Sequence, residues 1–80
     1  MSEQQKPSVG RIVIYKAAGL DEIFNGSDRH AAIITAVFSD RMVNLKVLPD
    51  LAPVFDASSV ERCDAPDEPG TRRWYWPPRV

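Results

Sequence analysis

A single cysteine, Cys63, leaves the chain unable to close an internal disulfide and short of the soft ligands that a structural zinc site needs. Apolar runs are short too. None approaches the roughly 20 residues that cross a bilayer as a helix, and the first residues, MSEQQKPS, hold no apolar signal segment. These absences predict a cytosolic protein, neither secreted nor inserted in a membrane. Charge of one sign is also missing: 10 Lys and Arg against 11 Asp and Glu give a formal charge of -1, so the whole chain exerts no pull on a phosphate backbone. No phosphate-cradling glycine loop, metal-ligand cluster or nucleophile beside a base is visible in the sequence. A non-enzyme without cofactors that works by binding is therefore expected.

With 80 residues there is room for one domain with a thin core, since a chain of this size buries only about 60 to 65 per cent of its unfolded surface. What the sequence does contain is strands. AAIITAVF over residues 31–38 is apolar on both faces, SDR follows as a turn, and in MVNLKVL over 42–48 Val43, Leu45 and Val47 alternate with Asn44 and Lys46. The pattern reads as an antiparallel hairpin in which Asp40 accepts a turn hydrogen bond. Arg11-Ile12-Val13-Ile14-Tyr15 is rich in β-branched and aromatic residues and reads as a first strand. Residues 54–60 form a weaker strand, expected at an edge because Asp56, Ser58 and Ser59 interrupt its apolar pattern. The expected core is Val13, Ile34, Ala36, Phe38, Leu45 and Val47.

Residues 1–8 read as a disordered arm ahead of a single domain over 9–80, and 16–29 either as a segment holding one helical turn begun by Asp21 and Glu22 or, no less readily, as a long loop that folds back. In that loop Leu20, Ile23 and Phe24 should cap an open end of the sheet. Residues 61–70 are acidic and broken by Pro66, Pro69 and Gly70, which marks a solvated connection. Four to five short antiparallel strands are best closed into a small barrel or roll, because closure removes unpaired edges. An SH3-like barrel is the first expectation, an OB barrel the second, and a two-layer sheet with a short helix the third.

The segments GRIVIY at 10–15, AIITAVFSD at 32–40, VNLKVLPD at 43–50 and EPGT at 68–71 ahead of Trp74, Trp76 and Pro77 together resemble a family of small uncharacterised proteins encoded by tailed phages and prophages. The resemblance covers most of residues 10–78. It implies a bacterial host cytoplasm and a virus-related accessory role, and it names no catalytic residue.

The densest candidate for function is Arg72, Arg73, Trp74, Tyr75 and Trp76, with Arg79 beyond. Arginine forks beside aromatic faces can anchor a protein interface or hold phosphates and stack bases. A structural role competes with both: Trp74 and Trp76 would pack on one face to close the barrel while Tyr75 faces outward as a dimer contact. Binding to a protein partner of unknown identity leads, and a nucleic-acid-binding barrel is the alternative, weakened by nearby Glu61, Asp64, Asp67 and Glu68. His30 and Cys63 could be imagined as base and nucleophile, yet nothing in their sequence context orients them. The Asn25-Gly26-Ser27 triplet is better read as a turn than as a glycosylation site.

Overall fold

The computed structural model describes residues 6–17, 19–64 and 70–77. The five strands of this closed barrel are β1 (Ile12–Lys16), β2 (Arg29–Val37), β3 (Met42–Leu48), β4 (Phe55–Arg62) and β5 (Arg73–Tyr75), in the spatial order of the chain. The fold is thus the small all-β barrel that the strand pattern predicts, consistent with an SH3-like or similar small barrel. Neighbouring strands run antiparallel except β4 and β5. That exception is a matter of parity: five strands cannot reverse direction at every step around a closed cylinder, so one pair must point the same way. The parallel ladder is short and joins Glu61 to Arg73 and Arg62 to Trp74. Strand β4, expected at an edge, is therefore paired on both sides at this end, and over the rest of its length β3 is its strand partner.

Side chains alternate across each strand, so every second residue enters the barrel. Val13, Ala32, Val47 and Phe55 stand opposite one another across β1 to β4, and Trp74, Tyr15 and His30 form a second inward row across β5, β1 and β2. The core contains Ile34, Val43, Leu45, Ala57 and Val60 as well. Four of the six expected core residues are buried, whereas Ala36 is only half-buried and Phe38 is 60% exposed. A β-bulge is the cause. Ile34 pairs with Leu45 but Ala36 pairs with Asn44, so one extra residue enters β2 and the following positions change face.

A second bulge lies on β4. Val43 pairs with Val60 and Leu45 with Ala57, which places Ser58 and Ser59 opposite the single residue Asn44. It explains how Ala57 and Val60 are both buried although three residues apart. Backbone groups released by a bulge need other partners. Asn44 Oδ1 accepts the Ser59 N–H at 2.9 Å, and the Arg72 guanidinium donates to the carbonyls of Ser58 at 2.7 Å and Ser59 at 3.5 Å.

The β2–β3 turn departs from expectation in a detail. Ser39, not Asp40, accepts its turn bonds, with Oγ at 3.2 Å from the Arg41 nitrogen and 3.1 Å from that of Met42. Of the expected N-terminal arm, residues 1–5 lie outside the described residues and Pro7 is buried. Among the described residues no helix is long and apolar enough to cross a membrane.

Candidate functional site

The C-terminal candidates are dispersed by the fold. Trp74 has no exposed surface; its Nε1 donates to the Arg41 carbonyl at 3.0 Å and its ring meets Trp76 edge-on at 5.2 Å. No face of Trp74 is open to stack a base. Trp76 is half-buried beneath the Arg11 guanidinium, which lies 5.1 Å from the ring centroid in a cation–π arrangement. Arg72 sits in the left-handed backbone region at φ 58° and holds the β4 bulge. Tyr75 stands on the outer side opposite Ile14 as the alternation requires, but it is only 9% exposed, which removes the outward ring expected there. Arg73 is half-buried and Arg79 lies outside the described residues. Of the carboxylates expected near this segment, Asp64 and Glu61 lie 3.1 and 4.0 Å from the Arg41 guanidinium, and Glu61 also stands opposite Arg73 in the β4–β5 ladder. Asp67 and Glu68 fall outside the described residues.

Chemistry gathers instead at the barrel end formed by the β1–β2 and β3–β4 connections, which an antiparallel meander places side by side. In the first connection Asn25 and Gly26 have φ of 53° and 80°, and Phe24 and Ser27 exchange backbone hydrogen bonds of 3.1 and 2.9 Å. Two consecutive positive φ angles make the tight turn that Asn-Gly favours, which answers the turn reading of this triplet. Asn25 Nδ2 then donates to Asp50 Oδ2 at 2.7 Å and ties the two connections together.

Just before that turn lies a short 3-10 helix, Leu20–Glu22, which decides for the helical turn over the plain folded-back loop that the sequence allows equally. Two core side chains hold it: the Tyr15 hydroxyl donates to Glu22 Oε1 at 2.8 Å, and His30 Nε2–H donates to the Glu22 carbonyl at 2.7 Å. Burial raises the Tyr15 pKa well above its ordinary value, and the hydrogen bond and negative charge of Glu22 push it the same way, against a smaller lowering by Arg72. With Glu22 turned inward, the neighbouring apolar residues cannot all face the barrel. Phe24 alone packs in, against His30 at 5.7 Å and Phe55 at 6.2 Å between centroids. Leu20 and Ile23 are 85% and 39% exposed, contrary to the expected apolar cap.

The result is a groove of about 410 Å³ lined by Asp21, Glu22, Phe24, Pro53, Val54 and Phe55. Aromatic rings and a proline make its walls, and carboxylates occupy one side. Val54 is 50% exposed within it, and Leu51, two residues before Pro53, is 90% exposed and held at φ 56°. An exposed leucine in a left-handed conformation is unfavourable twice over, in solvation and in backbone. Sequence reasoning missed this site because its two walls lie some thirty positions apart in the chain. The available signal was the unalternated Leu20, Ile23 and Phe24 beside the Leu51 and Val54 pair.

His30 and Cys63 belong to different parts of the barrel: His30 lies on β2 with Nε2 bonded to the Glu22 carbonyl, and the buried Cys63 follows β4 with its backbone N–H donated to Trp74. A second hollow of about 320 Å³ lies over the two bulges between Thr35, Asn44 and Ser58, and the Lys46–Asp56 ion pair of 3.1 Å borders it. No family model, no curated protein and no solved structure matches this chain.

Proposed function

We propose that the protein is a non-catalytic protein-binding module whose site is the groove between the β1–β2 and β3–β4 connections. Its occupant is a short extended protein segment that lays apolar side chains over Phe24, Val54 and Phe55 and sets a lysine or arginine beside Asp21. One observation carries the reading: a preformed apolar groove has acid on one side, and the most exposed large apolar residues of the protein, Leu20 and Leu51, lie within two residues of its lining in the chain. Extended segments gain affinity from such a groove because little must be ordered on the protein's side. The setting we propose is an accessory role in phage or prophage biology within the bacterial cytoplasm, supported by the resemblance of the strand segments.

Selection from a displayed library of random peptides tests the site. Wild-type protein should enrich sequences with a basic residue next to apolar ones, and the Val54→Asp and Asp21→Lys variants should lose them. Enrichment indifferent to both substitutions would place any binding activity elsewhere.

A further inference from the structure

The outside of the barrel is not uniform. On β3 and β4 the outward positions are mostly polar, Asn44, Lys46, Asp56 and Glu61 among them, with Met42 and Leu48 at the ends of β3 as apolar exceptions. On β1 and β2 they are not. Because Val13 and Tyr15 fill the core, Ile12 and Ile14 face out, and because Ala32 and Ile34 fill the core, Ala31 and Ile33 face out. The registers align these residues in rows that run across the strands. Ile12 lies opposite Ile33, and Ile14 stands between Tyr75 and Ala31, which continues to Leu48. Ile12 is 58% exposed and Ala31 is exposed, while Ile14 and Ile33 are half-buried and Tyr75 is covered, so the patch meets solvent at Ile12 and Ala31 and in part at Ile14 and Ile33. A closed barrel buries only its inner face, and nothing in the barrel requires apolar residues here.

Next to the apolar rows runs a row of cations. Lys16 lies opposite Arg29 on one side and Arg73 on the other. Like charges at directly opposed positions destabilise a sheet. Asp28 offsets one end through a 2.8 Å contact with Arg29, and Glu61 stands opposite Arg73 at the other.

We infer that the outer face of β1 and β2 docks an amphipathic helix whose apolar stripe is bordered by carboxylates. The spacing favours a helix lying across the strands. Neighbouring strands are about 4.8 Å apart, close to the roughly 5.4 Å between successive turns of a helix. An acidic stripe with one carboxylate per turn therefore matches the Arg73, Lys16 and Arg29 row. The adjacent apolar row lies two residues along the strands, about 7 Å away, within the width of one helix. Ile12, Ile14 and Ile33 give no flat ring on which a base could stack, so the face suits protein better than nucleic acid. This surface is separate from the groove and does not depend on it.

Two synthetic helical peptides with the same leucine stripe, one bordered by glutamates and one by lysines, test the inference in amide-resolved NMR titrations. The glutamate peptide should move the amides of residues 12–16 and 29–33, more weakly as salt rises. Lys16→Glu should weaken it about tenfold, and Ile12→Asp should abolish it while the remaining amide spectrum stays folded. If Ile12→Asp does not fold, Lys16→Glu alone decides. Failure of the glutamate peptide to bind would overturn the inference, as would equal binding of the lysine peptide or shifts confined to the groove residues. Two further results would reassign the face: a single-stranded oligonucleotide that binds these amides more tightly than the glutamate peptide, or a wild-type dimer that Ile12→Asp dissociates. Neither would touch the groove reading, which Val54→Asp tests independently.

Discussion

The segment 72–76 and the segment 20–24 have similar ingredients, aromatic rings beside charged groups, yet they use them in opposite directions. In the C-terminal segment Trp74 donates to the Arg41 carbonyl and Arg72 to those of Ser58 and Ser59, while the buried Trp76 Nε1 finds no hydrogen-bond partner among the described residues. In the loop, a core tyrosine and histidine engage Glu22, and in doing so they turn Leu20 and Ile23 outward beside an apolar groove. The three-residue strand that closes the barrel completes ladders on both sides and commits Trp74 to the core, so only Arg73 and Tyr75 are left to its outer face. A connection anchored at a few points retains side chains with no structural duty.

The contrast breaks most visibly if Trp74 proves dispensable. Trp74→Ala should cost about 3 to 5 kcal/mol in denaturant unfolding, because it removes a fully buried indole from a thin core. In so small a domain that approaches the total stability. A loss below about 1 kcal/mol would show that the C-terminal strand is not the closing element.

Arg72→Ala should cost less, about 0.5 to 1.5 kcal/mol, because water can reach the exposed bulge carbonyls that lose their charged donor. Arg72→Lys should not restore the loss, since an ammonium cannot reach two carbonyls as a planar fork does. Equal stability of all three proteins would make Arg72 a candidate for binding after all.

Tyr15→Phe sharpens the loop side of the comparison. At neutral pH it should cost about 0.5 to 1.5 kcal/mol through the lost bond to Glu22. Its pH signature is more specific. The folded state raises the Tyr15 pKa and so favours the protonated phenol. The contribution is therefore complete below the unfolded value of about 10 and declines as pH rises beyond it. Wild-type stability should fall above pH of about 10 more steeply than that of Tyr15→Phe, measured by denaturant midpoints across the alkaline range. Parallel curves would contradict the assigned burial.

The smallest effect is expected at Phe38. Its pattern placed it in the core, where truncation would cost about 3 to 5 kcal/mol. With 60% of its surface exposed, Phe38→Ala should cost about 1 kcal/mol or less. Thermal unfolding beside Leu45→Ala, a buried truncation one strand away, checks the difference.

Much of the fold was legible in local pattern. Strand β3 spans 42–48 as its alternation predicts, and the other strands lie within two residues or so of their expected bounds. Asn25-Gly26 declared its turn because positive φ at two successive residues is costly for most others. The bulges were not legible. A period-2 reading assumes one residue on each strand per step, and the extra residues in β2 and β4 exist only relative to β3. One such insertion carried Phe38 out of the core, and another let Ser58 and Ser59 interrupt β4 without ending it.

The sequence by itself determined that the chain makes a small all-β domain, because β-branched alternation and turn chemistry act over a few neighbouring residues. Tertiary structure alone decided which apolar residues stay outside. Whether Leu51 or Ile12 is covered depends on which connection or strand folds against it, and those partners are set by barrel closure across positions distant in sequence. The same closure drew the Arg72 guanidinium onto a bulge and left the groove open between two loops.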